Sequence, residues 1–290
     1  MFAKSVILYT EYLERRKNVE LFDLISELFH SEGITLFSPL PLDRCNIVKP
    51  YLLERAGISN GTAVICAIPY FSEKLVGDHN ISAYCAVKDY HRFFDGLKQR
   101  MSAELKNQYP EYKFELFADH SPIDERDAAA RAGIGVIGQN SMLITEKYSS
   151  YVFLGELITD AVLPCEDHKI QYCIGCKKCV SECPTMKNGS CLSAITQKKG
   201  DLTDSDAELL KKYNTAWGCD ICQKVCPYTE KAIKNGTAFT TIDYFLTDII
   251  PDLNSDILSA LNEEDFASRA FSWRGKPTVE RNLKILEKKS

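Results

Sequence analysis

The sequence predicts an α/β (α+β) N-terminal domain, a small cysteine-rich domain after it and a short helical tail. Segments with helical spacing alternate with short apolar segments of strand length up to about residue 163. Eight of the twelve cysteines then fall between Cys173 and Cys226. Helical, charge-rich segments follow to the end of the chain. We therefore expect domains at residues 1–163, 164–236 and 237–290.

The elements of the first domain follow from apolar spacing and from turn residues. Leu21, Leu24 and Leu28 recur at helical intervals and predict a helix over 11–33. The uninterrupted apolar run at 61–69 predicts a buried strand. The other predicted elements are a short strand within 34–42, a helix over 48–57, a helix over 81–109, a strand over 113–118, a helix over 124–132 and a strand in the first half of 151–163.

Composition and charge exclude several classes of protein. The chain has 290 residues, of which 45% are hydrophobic and 26% charged, as in ordinary globular proteins. A net charge of −5 argues against attraction of nucleic acid to the whole surface, but it does not exclude a local basic patch. We see neither a membrane span nor a signal peptide. The sequence therefore predicts a cytoplasmic protein without a membrane contact, and we expect a monomer.

The eight cysteines of the second domain are spaced as in two-cluster ferredoxins. They are Cys173, Cys176, Cys179, Cys183, Cys191, Cys219, Cys222 and Cys226. The first four form the run C-x2-C-x2-C-x3-C-P, in which three cysteines bind one cluster and the fourth binds the other. Eight thiolates are enough for two [4Fe–4S] clusters, so the sequence predicts a ferredoxin-like domain that carries electrons.

The ferredoxin pattern also predicts which cysteines share a cluster. One set is Cys173, Cys176, Cys179 and Cys226, and the other is Cys183, Cys191, Cys219 and Cys222. Two alternatives fit less well, because structural zinc pairs two separate C-x2-C units and disulfides need an oxidising compartment. No ligand-like spacing relates the remaining cysteines, and we expect none of them to bind a cluster: Cys45, Cys66, Cys85 and Cys165.

A glycine-rich run at 133–138 matches the G-x-G-x-x-G pattern of dinucleotide sites. Such a site needs a strand before the glycines and a helix after them. Here a predicted helix ends at Gly133. We therefore reject a Rossmann site. Close approach of the backbone to a large ligand is the alternative use of these glycines.

Four segments together resemble the epoxyqueuosine reductase family, whose members modify tRNA with the help of iron–sulfur clusters and cobalamin. The segments are Ile81–His91, Ala118–Arg126, Arg131–Glu156 and the cysteine domain with its Trp217-Gly-Cys219 sequence. The resemblance covers roughly residues 60–285. It implies that cobalamin lies in the N-terminal domain and that the two clusters supply it with single electrons.

The resemblance implies reduction of epoxyqueuosine, at the wobble position of tRNA, to the alkene of queuosine. Removing the oxygen needs two electrons, and a proton from an acid within hydrogen-bond reach. By resemblance, Asp119 is this acid. On the residues alone, Asp119 is more simply a helix cap or turn residue before Pro122, and the resemblance reverses that preference. An external donor such as a flavodoxin or ferredoxin would reduce the clusters.

The resemblance further implies a set of residues around cobalamin. They are Tyr90, His91, Arg126, Gly138, Asn140, Leu143, Phe153 and Gly155. We expect His91 to line the pocket without binding cobalt, because the family leaves the lower face of cobalt without a protein histidine. For Arg126 the alternative is an ion pair with Asp119 or Asp124.

The tail bears on the predicted tRNA partner. The sequence ends at Ser290 without the helical-repeat domain of many members, so we expect a short form. Its basic residues are either phosphate contacts or a solvated helix face: Arg269, Arg274, Lys276, Arg281, Lys284, Lys288 and Lys289. The rival functions are a cobalamin-dependent reductase of another small substrate and a two-cluster electron carrier. A carrier would not need the large N-terminal half.

Overall fold

The computed structural model describes residues 2–186 and 189–288, with side chains from residue 13 onward. The helices are α1 (Phe2–Ser31), α2 (Pro50–Ala56), α3 (Ala83–Ala86), α4 (Tyr90–Gln108), α5 (Glu125–Arg131), α6 (Lys178–Ser181), α7 (Leu192–Thr196), α8 (Asp204–Lys212), α9 (Ile221–Lys224), α10 (Pro227–Lys234), α11 (Asp243–Leu246), α12 (Ser255–Ala260), α13 (Glu263–Ala267) and α14 (Lys276–Glu287). The strands are β1 (Leu36–Pro41), β2 (Thr62–Pro69), β3 (Phe114–Phe117), β4 (Val136–Ile137), β5 (Leu143–Ile144) and β6 (Val152–Thr159).

The chain forms two compact units, and each is assembled from three stretches of sequence. The first contains residues 1–68, 93–137 and 153–171, and the second contains residues 69–92, 138–152 and 172–290. This division follows compactness. The domain limits at residues 163 and 236 remain a prediction about functional parts.

A four-stranded sheet forms the centre of the first unit, in the order β1-β2-β6-β3. Strands β1 and β2 are antiparallel, with Leu36 opposite Ala67, and β3 and β6 are antiparallel, with Phe117 opposite Glu156. All eight residues of β2 are buried, as the continuous apolar run predicts for a central strand. The chain is therefore of mixed α/β content, as predicted.

Helix α1 covers one part of this sheet with an apolar stripe. Leu21, Ile25 and Phe29 follow one another at four-residue intervals and are fully buried. The Phe29 ring lies 5.1 Å from the ring of Phe37 in β1, measured between centroids. The helix begins at Phe2, earlier than the predicted residue 11, and ends close to the predicted Gly33.

Helix α4 lies close to β6 because a glycine leaves room for an aromatic ring. The Phe94 ring occupies the space where a Cβ of Gly155 would be. Leu97, Met101 and Leu105 continue the buried face of α4. A side chain in β6 at this point would push the helix and the strand apart.

Replacing Gly155 with alanine is therefore expected to lower the free energy of unfolding by about 1–3 kcal/mol, the usual cost of overpacking a core. Urea denaturation followed by circular dichroism measures this change. Gly96→Ala is the matched control, because its added methyl meets only the end of the flexible Arg100 side chain and alanine favours a helix. A Gly155→Ala protein as stable as the parent would contradict this packing.

The predicted helix over 81–109 is wrong in one respect, because it is two helices. Val87 is extended, with φ −89° and ψ 173°, and ends α3. Lys88 then forms a β-bridge with Arg269, and the Asp89 N–H donates to the Ser268 carbonyl at 2.8 Å. These contacts come from a segment 180 residues later in the chain, so local spacing gives no sign of the break.

The helical tail holds the core of the second unit. Trp217 is fully buried, and its indole N–H donates to the Tyr84 hydroxyl at 3.2 Å. Asn282 of α14 is also fully buried and donates to the carbonyls of Thr196 and Ala216, both at 2.7 Å. Helix α14 thus fixes the end of α7 and the loop that follows α8. Across the described residues, no helix is long and apolar enough to cross a membrane.

Candidate functional site

Short helices and turns present the eight cysteines of the second unit. Cys191 and Cys226 are the N-cap residues of α7 and α10, and Cys179 and Cys222 lie inside α6 and α9. Pro227 starts α10 directly after its cysteine, because proline is tolerated at the first helical position. Each of the eight cysteines is a free thiol. The segment therefore offers thiol ligands and no disulfide framework.

One predicted set of cysteines lines a single cavity. Its walls are formed by Cys173, Cys176, Cys179 and Cys226, together with Gln139, Asn140, Ile144, Ile174, Lys177, Pro227 and Tyr228. Burial raises the pKa of the Cys179 thiol, and the charges of Cys226, Cys173 and Cys176 raise it further, in that order. Cys226 is thus a neighbour of the first three cysteines although 47 residues separate it from Cys179.

In the other set, burial and neighbouring cysteines raise the pKa values of two thiols. Burial is the largest cause that raises the pKa of Cys219 to about 11, and the charges of Cys191 and Cys183 add to it. Burial likewise raises the pKa of Cys222 to about 12, with contributions from Cys219 and Cys191. These thiols hold their protons near neutral pH, so binding of a positively charged cluster must release them.

The arrangement suits a cluster better than a single ion. Among residues 2–186 and 189–288, no three His, Cys, Asp or Glu side chains converge on one point as a single metal ion requires. In an iron–sulfur cube each cysteine binds its own iron, so the sulfurs stay apart. Four of the chain's cysteines lie outside both sets. Cys66 and Cys85 are buried, Cys45 is partly exposed and Cys165 is exposed.

The glycine-rich run lacks the surroundings of a dinucleotide site. Helix α5 ends before it, and β4 and β5 follow. Gly133 has a φ of 76°, and a Cβ there would lie 2.8 Å from the His168 ring. At Gly138 a Cβ would overlap the Asn140 amide oxygen. Because these glycines have no Cβ, they leave room for neighbouring side chains of the protein itself.

A strained turn after β3 carries Asp119. Its φ is 61°, in the left-handed region that non-glycine residues seldom occupy. The Asp119 backbone N–H donates to Glu125 Oε1 at 3.0 Å. The adjacent His120 contacts Lys49 Nζ at 3.2 Å and the Tyr51 hydroxyl at 3.0 Å through its two ring nitrogens. Contacts on several sides therefore hold this turn, as strained functional segments require.

The far end of the turn is anchored in the core. Ser121 is buried, and its hydroxyl donates to Glu156 Oε1 and accepts the Ile123 N–H at 3.1 Å. Asp124 then caps α5 by accepting the N–H groups of Arg126 and Asp127. The cap predicted for this segment is thus Asp124, which leaves Asp119 without that role.

Two glutamates under the turn have strongly perturbed pKa values. Burial raises the pKa of Glu125 to about 7, and the charges of Asp119 and Asp124 act in the same direction. Glu156 is only 1% exposed, and burial followed by the charge of Glu125 raises its pKa well above the usual range. Sequence reasoning assigned neither residue a role. A signal existed for Glu156, since it is the one charged residue in the apolar strand β6.

The residues predicted around cobalamin differ in exposure. Gly138, Leu143, Phe153 and Gly155 are buried, whereas Tyr90, His91, Arg126 and Asn140 are exposed or partly exposed. Asp89 Oδ1 accepts hydrogen bonds from the His91 backbone N–H at 3.0 Å and lies 2.8 Å from His91 Nδ1. Asn140 borders the cysteine cavity described above. Tyr90, His91, Gly138, Asn140 and Leu143 belong to the second unit, and Arg126, Phe153 and Gly155 to the first.

Two of the basic tail residues are engaged within the fold. Arg269 is 5% exposed and donates to the Asp248 carbonyl at 2.5 Å. Arg281 donates to the carbonyls of Lys198, at 2.5 Å, and of Thr196, at 3.3 Å. Lys289 lies outside the described residues. The tail is therefore in part a structural clamp.

A family model for a 4Fe-4S binding domain matches residues 170–187 and 213–229. These stretches contain seven of the eight cysteines; Cys191 lies between them. The cysteine-rich part of the chain is therefore an iron–sulfur domain of the 4Fe-4S type.

Comparison with curated proteins is more specific. An epoxyqueuosine reductase from Gloeobacter violaceus is 30% identical over 218 residues, which are 70% of this chain and 68% of the relative. An epoxyqueuosine reductase from Lactococcus garvieae is 31% identical over 214 residues, which are 68% of this chain and 58% of the relative. The chain belongs to the epoxyqueuosine reductase family. It spans little more than half the length of the Lactococcus garvieae protein.

Solved structures show the same fold. An epoxyqueuosine reductase with an epoxyqueuosine-modified tRNA-Tyr stem loop has a TM-score of 0.71 and 23% identity, covering 92% of this chain and 81% of the other. A Bacillus subtilis epoxyqueuosine reductase, with an aspartate catalytic loop swung out of its active site, has a TM-score of 0.69 and 24% identity over the same shares.

Proposed function

We propose that this chain reduces the epoxide of epoxyqueuosine in tRNA to the alkene of queuosine. Family membership supports the reaction class, and a relative of the same fold has been solved with an epoxyqueuosine-modified tRNA stem loop. The observation that carries the proposal is the Asp119 turn, because a carboxyl held on a strained turn is suited to a chemical role. A solved relative also carries an aspartate on its catalytic loop.

The reaction fixes what the protein must supply. One epoxide, two electrons and two protons give one alkene and one water. Both carbon–oxygen bonds break, and the two electrons form the second bond between the carbons. The oxygen leaves as a poor leaving group unless it is protonated as its first bond breaks, so a positioned acid lowers the barrier.

Asp119 is the proposed acid. Its carboxyl delivers a proton to the departing oxygen and is left as a carboxylate, which must be reprotonated before the next turnover. The left-handed backbone aims the side chain in a direction that an ordinary extended loop would not, and the contacts of His120 and Ser121 maintain that direction. Positioning of this kind is where a protein contributes most to proton transfer.

The eight cysteines are proposed to hold two [4Fe–4S] clusters. The cavity of Cys173, Cys176, Cys179 and Cys226 fits one cluster, because its four thiols surround one space. Cys183, Cys191, Cys219 and Cys222 would hold the other. When bound, the clusters pass single electrons from an external donor such as a flavodoxin or ferredoxin.

Cobalamin is proposed as the group that acts on the substrate, and the exposure of the candidate residues fits a cofactor rich in amide side chains. Tyr90, His91, Arg126 and Asn140 offer hydrogen-bonding groups at or near the surface of their units. Gly138, Leu143, Phe153 and Gly155 are each buried within their own unit. When bound, cobalamin supplies the metal centre that takes the electrons to the substrate carbon.

The test is conversion of epoxyqueuosine in a tRNA stem loop by the anaerobically purified chain, loaded with iron, sulfide and cobalamin and supplied with a reductant. We further propose that the chain acts as a cytoplasmic monomer. Queuosine is expected in the digested RNA, and none is expected when the reductant is left out. Persistence of the epoxide under full loading would assign the machinery to another substrate.

A further inference from the structure

Two carboxyl groups that contact the Asp119 turn, the partly exposed Glu125 and the buried Glu156, have no place in the proposed chemistry so far. Glu125 opens α5, and Glu156 lies in the centre of β6. Each binds one end of the same turn, since Glu125 accepts the Asp119 N–H and Glu156 accepts the Ser121 hydroxyl. The turn therefore rests on two acids at its two ends.

The contact to Glu125 stabilises the unusual backbone of Asp119. Aspartate adopts the left-handed conformation more readily than most residues, but the conformation is still uncommon without a glycine, so a local hydrogen bond favours it. A hydrogen bond to a charged acceptor is among the stronger ones. A neutral acceptor contributes less. The charge state of Glu125 thus bears directly on the geometry of Asp119.

Several charged groups face Glu125. Asp119 in the turn and Asp124 at the start of α5 oppose its ionisation, and Lys49 before α2 favours it. Glu156 couples to it from β6. The charge of Asp119 is thus among the causes that raise the pKa of Glu125, after burial, so the two carboxyl groups interact electrostatically.

Glu156 is the carboxyl group of this pair that stays uncharged. Its Oε2 has no hydrogen-bond partner among the described residues, and a charge left unpaired in such a place is costly. Burial raises the pKa of the Cys66 and Cys45 thiols, and the charge of Glu156 raises it further, so both thiols stay protonated and neutral beside it. Glu156 therefore stays protonated while Glu125 titrates.

We propose that Glu125 is the positioning residue of Asp119: its carboxylate accepts the Asp119 N–H and fastens the backbone of the strained turn. The catalytic role of this contact rests on the proposed function, but the stabilisation of the turn by Glu125 does not. Activity then requires an ionised Glu125. The rate is expected to fall on the acid side, near pH 7, as Glu125 takes up a proton and its hold on the turn weakens.

The first test follows the turn without any substrate. Hydrogen exchange of the Asp119 amide is expected to be about 10- to 100-fold faster in Glu125→Ala than in the parent, because the charged acceptor is gone. Glu125→Gln retains an amide oxygen and is expected to fall between them. Unchanged exchange in Glu125→Ala, in a folded protein, would overturn the positioning role even if the chain proves to be the proposed reductase.

The second test is the pH profile of queuosine formation by the loaded chain. Glu125→Gln is expected to lose the acid limb, since the carboxyl group that titrates there is gone. Glu156→Gln is expected to keep the acid limb. Glu115→Gln, in the adjacent strand β3 and paired with Lys98, is the matched control and should reproduce the parent profile.

The outcomes separate the two claims. A uniform loss of rate in Glu125→Gln with the acid limb still in place would reduce Glu125 to a structural role and overturn the inference. If Glu156→Gln lost the acid limb and Glu125→Gln kept it, the limb would belong to Glu156. The inference would again be overturned. Absence of queuosine with the parent protein would refute the proposed function, while the hydrogen-exchange result would still decide the fastening of the turn.

Discussion

Replacing Asp119 with asparagine is expected to slow queuosine formation by about 100-fold or more, the usual contribution of a general acid. Asparagine has nearly the same shape but no acidic proton to give. It also tolerates the left-handed conformation as aspartate does, so the φ of 61° is retained. Single-turnover rates on a modified stem loop measure the effect on the chemical step.

The controls for this variant separate the loss of the acidic proton from any change in the fold. The thermal midpoint and the iron content of Asp119→Asn are expected to match those of the parent. Asp95→Asn, an exposed position on α4, should turn over at the parental rate. An Asp119→Asn protein within threefold of the parent would mean that another group protonates the oxygen, and the role given to Asp119 would be wrong.

The second large effect concerns the division of the cysteines into two sets. Replacing Cys179 and Cys226 together with alanine removes two ligands from one proposed cluster, so iron is expected to fall from about eight atoms to about four. Replacing Cys222 and Cys226 together removes one ligand from each cluster and is expected to disturb both. Both double variants should lose queuosine formation, because the relay of electrons is broken.

Iron analysis and electron paramagnetic resonance of the reduced proteins distinguish the two double variants. Cys165→Ala is the matched control, because this cysteine lies outside both sets, and it should keep about eight irons. Equal spectra from the two double variants, with one intact cluster in each, would place Cys222 and Cys226 in the same set. The crossover division would then be refuted.

Local sequence patterns were sufficient to predict much of the fold. The apolar run of β2 was sufficient to predict a central strand, and Gly57, in a left-handed conformation, ends α2 within the predicted helix over 48–57. The cysteine spacing predicted an iron–sulfur domain because each ligand must meet a cluster of fixed size. Patterns of this kind depend only on neighbours in the sequence.

The features that escaped prediction depend on distant parts of the chain. The break between α3 and α4 is set by Ser268 and Arg269 in the tail. The strained turn at Asp119 is contacted by Glu125 and, through Ser121, by Glu156, and both glutamates lie outside the turn itself. Burial of Glu156 is a tertiary property, although a lone acid within an apolar strand gave a hint of it.

Formation of queuosine tests the central claim most directly. The chain, purified without oxygen and loaded with both cofactors, is incubated with reductant and an epoxyqueuosine-containing tRNA stem loop, and the nucleosides are analysed by mass spectrometry. The proposal predicts loss of one oxygen atom from the modified nucleoside and a dependence on Asp119. An intact epoxide beside reduced clusters and bound cobalamin would contradict it, and clusters without affinity for cobalamin would leave only an electron carrier.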